Sequence, residues 1–136
     1  MTSWIRPRLL FIALTAGTIA LGLLVHLRGS GLLTPVIRDV IGDALYAVMM
    51  VWIAGALAPR LSPWQRWAVA VGLCVAIELT QLYRTPVLDA VRATLLGHLV
   101  LGSSFDWRDL WVYAGGSLVA VMIEKAIRGG QVKARA

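Results

Sequence analysis

The feature that most constrains the fold is an apolar run at residues 9–27, LLFIALTAGTIALGLLVHL, which contains no Asp, Glu, Lys or Arg. At about 1.5 Å of helical rise per residue, such a run can cross roughly 30 Å of hydrocarbon. Arg6 and Arg8 precede it, as basic residues precede a signal peptide core. The run is longer than the usual core of about 7–15 residues, and no small-x-small cleavage site follows it. We therefore expect a retained transmembrane helix.

Three more apolar stretches predict membrane spans, at about residues 43–58, 67–83 and 109–127. Spans two and three are separated by a short link in which Ser62 can cap a helix and Pro63 can occupy its first turn. This link predicts an antiparallel hairpin. The composition agrees with a lipid environment, since charged residues make up only 15% of the chain, against about a quarter in soluble domains.

Residues 87–102 connect spans three and four and are apolar, but Asp89, Arg92 and a histidine interrupt them. We expect a short helix that lies on the membrane surface or enters it partway, with a complete fifth span as the alternative. The predicted fold is all-α, a compact bundle of four transmembrane helices plus this short helix. It forms a single transmembrane domain over residues 1–128, and a cytoplasmic tail follows at 129–136.

The basic residues predict the orientation. With four spans, the termini share one side of the membrane with the loop between spans two and three. Eight of the 13 Lys and Arg residues fall on that side: Arg6, Arg8, Arg60, Arg66, Lys125, Arg128, Lys133 and Arg135. The other side holds Arg28, Arg38, Arg84, Arg92 and Arg108. The positive-inside rule then places both termini in the cytoplasm.

The acidic residues are distributed less evenly than the basic ones. The outer half holds six of the seven acids: Asp39, Asp43, Glu78, Asp89, Asp106 and Asp109. Only Glu124 falls on the inner half. Acidic residues contribute little to topology, so we interpret this clustering as a polar site on the outer half.

Polar residues recur at helical spacing near this outer level, and residues three apart share a helix face. The sets are Glu78 with Gln81, Asp43 with Tyr46, Asp89 with Arg92, and a row of Asp106, Asp109 and Tyr113 that enters span four. Four separate elements are therefore expected to direct polar side chains to one level of the membrane. An ion-pair network that only fixes helix packing is the alternative interpretation.

Glu78 is the best functional candidate in this set. It lies near the C-terminal end of its helix, where the helix dipole disfavours an anion, and inside a span, where an ionisable group needs partners. We expect Arg92 to be that partner. Asp43, Asp106 and Asp109 lie instead near expected helix starts, where a carboxylate can cap backbone amides.

The segments GDALYAVMMVW and AIELTQLYRTPVLDAVRATLLGHLVLGSSFDWRDLWVYAGG resemble an uncharacterised family of small bacterial membrane proteins, domain of unknown function 2809. The pieces E-x-x-Q, D-x-x-R-x-T-x-x-G and F-x-W-x-D-x-x-x-Y-x-x-G carry the resemblance. More distantly, Glu78, Gln81, Arg84 and Asp89 are similar in order to a motif of the VanZ-like family, which is linked to teicoplanin resistance. The Asn that usually follows in that motif is absent here. The resemblance implies a protein of the bacterial cytoplasmic (inner) membrane and a common site, without a known reaction.

Three functions remain open at this point. In the first, the outer site binds or modifies the headgroup of an anionic lipid or lipid-linked envelope precursor. Arg84 and Arg92 would hold a phosphate or carboxylate, and Glu78 would act as acid, base or hydrogen-bond acceptor. In the second, the chain is a non-enzymatic structural or partner-binding membrane protein, and in the third it is a small transporter. We expect no metal, no cofactor and no nucleic acid, and an oligomer is compatible with each function.

Overall fold

The computed structural model describes residues 5–102 and 104–133. Throughout these residues the regular structure is helical, as predicted. The α-helices are α1 (Ile5–Arg28), α2 (Pro35–Leu57), α3 (Pro63–Thr80), α4 (Pro86–Arg92), α5 (Leu95–Leu101) and α6 (Trp107–Lys133), and a 3-10 turn at Gly29–Gly31 joins α1 to α2. Arg135 and the end of the predicted tail lie outside the described residues.

Three helices are long and apolar enough to cross a membrane. They are α1 over Pro7–Arg28, α2 over Pro35–Leu57 and α6 over Trp107–Arg128. These three correspond to the first, second and fourth predicted spans. The third predicted span, α3, does not reach the same apolar character, because it begins with Pro-Trp-Gln-Arg-Trp and contains Glu78.

The N-terminus of α3 forms as its sequence predicts. The Ser62 hydroxyl accepts a hydrogen bond from the backbone N–H of Gln65 at 3.2 Å, and the Gln65 side chain accepts one from the backbone N–H of Ser62 at 2.8 Å. Pro63 follows in the first turn. This reciprocal capping box satisfies two N–H groups that a helix start leaves unpaired, and it fixes the turn between α2 and α3.

The start of α2 differs from the prediction. The helix begins at Pro35, with the Thr34 hydroxyl accepting a hydrogen bond from the N–H of Ile37, and not at Asp43. Asp43 therefore lies about two turns inside the helix, and the interpretation of this residue as a helix cap is wrong. Thr34 followed by Pro35 is itself a signal for a helix start. The charged residues Arg38 and Asp39 separate this signal from the apolar stretch that predicted the span.

The connecting segment forms two short helices, α4 and α5, where a single helix was predicted. A β-carbon added to Gly97 would lie 1.8 Å from the carbonyl oxygen of Val91, so the chain folds back tightly at this point. Each of the two helices has seven residues, or roughly 10 Å of length. Neither can cross the membrane alone, which argues against a fifth span.

The core lies where α1, α2, α3 and α6 meet. Phe11 of α1 packs with Val51 and Trp52 of α2, Ala70 of α3 and Ala120 of α6. The Phe11 ring lies so close to Gly55 that an added β-carbon would be only 2.8 Å from it. Small residues on α2, α3 and α6 therefore allow the helices to approach closely around one large ring.

The outer surface of the helices is apolar, unlike that of a soluble bundle. Leu9 and Ile12 of α1, Leu57 of α2 and Met122 of α6 are all more than half exposed. A continuous apolar surface of this kind is stable in lipid and not in water. The helices therefore indicate a lipid bilayer environment.

Candidate functional site

Glu78 is the centre of the polar residues at the end of the bundle where α3 ends and α6 begins. It lies near the end of α3 and is fully buried, with 0% exposure. Its Oε2 accepts hydrogen bonds from the Gln81 side-chain amide and from the Tyr113 hydroxyl, each at 3.1 Å. Its Oε1 accepts one from the backbone N–H of Asp106 at 3.0 Å. One carboxylate thus ties the end of α3 to α6 and to the segment that leads into α6.

Gln81 is also buried, and it is only partly satisfied. Its Nε2 donates to Glu78, but its Oε1 has no hydrogen-bond partner among the described residues. Gly102, which ends α5 with a φ of 65°, lies directly against this amide, since an added β-carbon would be 2.5 Å from Gln81 Nε2. An amide oxygen that is buried without a donor is costly, so this end of the bundle is not optimised for stability alone.

Asp43 and Asp109 face each other between α2 and α6. Their carboxyl groups are close enough to interact electrostatically, and the Glu78 carboxylate also interacts with Asp43. We use the name carboxyl cluster for Asp43, Glu78 and Asp109.

Arg108 and Asp106 lie at the exposed edge of the carboxyl cluster. The Asp106 carboxylate accepts a hydrogen bond from the backbone N–H of Arg108 at 2.8 Å and so caps α6, as the sequence predicted. The Arg108 guanidinium lies 3.7 Å from Asp106 and 3.4 Å from Asp109. Asp109, in the first turn of α6, is therefore paired with Arg108 and also faces Asp43.

Two tyrosines complete this end of the bundle. The rings of Tyr46 and Tyr113 lie 6.4 Å apart, centre to centre. Tyr113 is buried and donates to Glu78, whereas the hydroxyl of Tyr46 donates to the backbone carbonyl of Val100 at 3.1 Å. Tyr46 therefore holds α5 against α2.

Arg92 has a different partner from the one predicted. Its Nη2 donates to the carbonyl of Thr80 at 2.7 Å, and its Nη1 donates to the carbonyl of Tyr83 at 3.0 Å and to Asp89 at 3.4 Å. No ion pair joins Arg92 to Glu78, so that predicted pairing is wrong. A buried cation instead satisfies the carbonyl groups at the C-terminal end of α3, where the helix dipole favours it.

Arg84 and Asp89 form a second, more exposed polar group next to Arg92. The guanidinium of Arg84 lies 3.5 Å from Asp89, and both side chains are about half exposed. All ten predicted site residues thus lie at the same end of the bundle, but they divide into an acidic part around Glu78 and a basic part around Arg92. No three His, Cys, Asp or Glu residues within the described ranges are arranged to hold a metal ion.

Comparison with known families adds one finding. The family model described as Protein of unknown function (DUF2809) matches residues 32–117, which is more than half of the chain. The chain belongs to the DUF2809 family. The region matched by the DUF2809 model contains all ten predicted site residues. No solved structure matches the chain.

A second polar group, at the opposite end of the bundle, was missed by the sequence reasoning. Arg66 of α3 and Glu124 of α6 form a buried ion pair, and Arg128 lies 2.8 Å from the same Glu124 oxygen. Glu124 falls outside the segment matched to DUF2809. The available signal was that Glu124 is the only acid of the inner half and lies four residues before Arg128.

Proposed function

We propose that this DUF2809 protein is a four-span protein of the bacterial cytoplasmic membrane with both termini in the cytoplasm. The positive-inside distribution of basic residues supports the orientation. Three helices are apolar enough to cross the membrane by themselves. The proposal adds α3 as the fourth span.

The exposed surface of α3 supports this assignment. Its outward-facing residues include Val69, Leu73 and Leu79, each between 42% and 49% exposed. Its charged residues, Arg66 and Glu78, are buried and partnered inside the bundle. Average hydropathy counts those two charges against membrane insertion, whereas the surface that lipid would contact is apolar.

We further propose that the outer end of the bundle binds the headgroup of a lipid or lipid-linked envelope precursor. The observation that carries this proposal is the carboxyl cluster with the unpartnered Gln81 Oε1 beside it. Asp43 and Asp109 are half-buried, so they stand between the fully buried Glu78 and the exposed edge. Polar groups held at this depth are expensive and are usually retained for function.

The charges at this end favour a headgroup that donates hydrogen bonds. Acceptor atoms from the half-buried Asp43 and Asp109 match an ammonium group or sugar hydroxyls. Arg108, at the exposed edge of the cluster, is suited to the phosphate of the same headgroup, and Arg84 lies in the separate basic part. Glu78 is fully occupied by its three donors, so its proposed role is to position Tyr113 and Gln81 and not to contact the ligand.

The test compares two phospholipids whose headgroups differ by three N-methyl groups, which replace the hydrogen-bond donors of the ammonium. Native mass spectrometry would measure retention of phosphatidylethanolamine, whose ammonium donates, against phosphatidylcholine, whose quaternary amine cannot. We expect the wild-type protein to prefer phosphatidylethanolamine, and Asp43→Asn and Asp109→Asn to lower the preference on the order of tenfold.

Asp39→Asn is the matched control, since Asp39 is an exposed acid on the same helix as Asp43. It should retain the wild-type preference. Equal retention of both lipids by the wild-type protein, or an unchanged preference in Asp43→Asn, would rule out this ligand chemistry.

A structural or partner-binding role without a ligand is the second candidate function. The observation that favours it is the complete burial of Glu78 with three satisfied hydrogen bonds, which is also what a packing network requires. In that case Asp43→Asn should lower the thermal stability of the protein in detergent and leave lipid retention unchanged. The two candidates are therefore separated by the same set of variants.

A further inference from the structure

The inner end of the bundle carries two adjoining grooves that the outer site does not explain. The first groove, of about 290 Å³, runs between α1 and α2 and is lined by apolar side chains such as Ile12, Ile19 and Ile53. The second, of about 310 Å³, lies at the end of the same two helices and is lined in part by Arg8 and Arg60. Leu57 lines both grooves, so they adjoin each other at this side chain.

One groove is apolar and the other is polar, and their sequence along the helices matches the structure of a phospholipid. The apolar groove lies along the part of α1 and α2 that would be inside the hydrocarbon layer, and its lining is almost entirely carbon. The polar groove lies beyond the last turn of α2, at the level of the loop with Ala58 and Pro59. A phospholipid has the same arrangement, with an acyl chain along the hydrocarbon and a phosphate at the interface.

Charge selects among phospholipids. Among the described residues that line the polar groove, the two charged side chains are both arginines and none is acidic. Arginine is the side chain best suited to bind a phosphate through two hydrogen bonds, and basic residues at the membrane surface attract anionic lipids. The polar groove is thus complementary to a headgroup with net negative charge.

We propose that these two grooves form a binding site for an anionic phospholipid of the leaflet that faces the N-terminus. One acyl chain lies between α1 and α2, and the phosphate lies between Arg8 and Arg60. This site is separate from the outer carboxyl cluster and takes lipid of the opposite leaflet in the proposed orientation. It does not depend on the outer site having a ligand.

Lipid competition in nanodiscs tests the headgroup. The protein would be reconstituted in mixtures of phosphatidylglycerol and phosphatidylcholine with matched acyl chains, and the lipid retained after release would be measured by native mass spectrometry. We expect enrichment of phosphatidylglycerol, lowered on the order of fivefold by each of Arg8→Gln and Arg60→Gln. Arg28→Gln, at the other end of α1, is the charge-matched control and should leave the enrichment unchanged.

A second pair of variants tests the acyl-chain groove. Ala16 lines this groove, so Ala16→Phe should fill it and lower the number of tightly retained lipids. Ala13 is exposed on the same helix and is not among the lining residues, so Ala13→Phe should have no such effect. Equal retention of both lipids by the wild-type protein, or loss of enrichment in Arg28→Gln as strong as in Arg8→Gln, would show a non-selective lipid shell and overturn the proposal.

Discussion

The ion pair of Arg66 and Glu124 places two opposite charges inside the bundle. Arg66 is 1% exposed and Glu124 is 3% exposed. Arg66 also donates to the carbonyl of Leu61 at 2.6 Å and lies against the ring of Phe11, with 5.0 Å from guanidinium carbon to ring centre. Such a pair overcomes the cost of desolvation only while both members are present.

The two members of this pair should differ in their response to replacement. Without Arg66, Glu124 still has Arg128, whereas without Glu124 the buried Arg66 retains only a carbonyl and a ring face. We expect Glu124→Leu to destabilise the protein by about 3–5 kcal/mol and Arg66→Met by clearly less. The double variant should be more stable than Glu124→Leu alone, because no unpaired charge remains in it.

Unfolding in mixed micelles of a mild detergent and sodium dodecyl sulfate, followed by circular dichroism, would measure these differences. Arg128→Gln is a suitable control, since the Arg128 side chain is 53% exposed and the buried Glu124 keeps Arg66 as its partner in that variant. If Arg66→Met were as damaging as Glu124→Leu, the proposed asymmetry of the pair would be wrong.

For single residues, the sequence predicts which side chains need a partner better than it predicts which residue that partner is. The position of Glu78 near a helix end inside an apolar segment correctly indicates a residue that must be satisfied. Helix spacing identifies one of its three donors, Gln81, but the other two come from Asp106 and Tyr113, 28 and 35 positions away, where helix spacing gives no information. Arg92, the partner expected from the sequence, instead donates to a carbonyl group at the end of α3.

Some helix ends and helix contacts can be predicted from neighbouring residues in the sequence, and others cannot. Ser62 and Pro63 correctly predict the start of α3 because both act within one turn. The division between α4 and α5 was not predictable in this way, since it depends on the close approach of Gly97 to Val91. Gly115 and Gly116 of α6 are only partly informative. Adjacent small residues indicate a close helix contact, but they do not indicate which of the two glycines makes it.

Gly116 and Gly115 provide a test of the contact between α2 and α6. A β-carbon on Gly116 would lie 2.7 Å from the carbonyl oxygen of Ala44 and 2.9 Å from its Cα, whereas one on Gly115 would meet nothing within 4 Å. Gly116→Ala should therefore push the helices apart and destabilise the protein by about 1–3 kcal/mol. Gly115→Ala should be neutral, or stabilising by up to about 1 kcal/mol, because Ala favours helix.

The same unfolding measurement, made on both variants in parallel, would test this prediction. The two substitutions add the same methyl group to adjacent positions of one helix, so any difference in stability arises from the contact with Ala44. Equal effects of the two substitutions would mean that α2 and α6 do not approach each other at this point.

Over the whole molecule, the polar groups lie at the two ends of the bundle and the small apolar residues lie between them. The buried face of α3 illustrates this order, with Arg66, Ala70, Cys74 and Glu78 at four-residue intervals. The 12 positions between its two charges correspond to about 18 Å along the helix axis. A helix of 18 residues is about 27 Å long, close to the roughly 30 Å thickness of the hydrocarbon layer. This match between the helix and the bilayer is the reason to treat α3 as a span.

The role of α3 determines which side of the membrane each later segment faces. If α3 crosses, residues 60 and 104 lie on opposite sides and both termini are cytoplasmic. If α3 lies on the surface, residues 60 and 104 share a side and the termini face opposite sides. The only native cysteine, Cys74, is buried, so Arg60→Cys and Ser104→Cys can each be labelled with little background from it.

Labelling of intact cells with a membrane-impermeant maleimide distinguishes the two arrangements. We expect the cysteine at position 104 to react from outside, and the cysteine at position 60 to react only after the membrane is made permeable. Reporter fusions to both termini should give the same cytoplasmic signal, because four crossings return the chain to the side on which it began. Equal reaction at both cysteines, together with an exported C-terminus, would mean that α3 does not cross. In that case the acids around Glu78 would face the cytoplasm, and a ligand from the outer leaflet could not reach them.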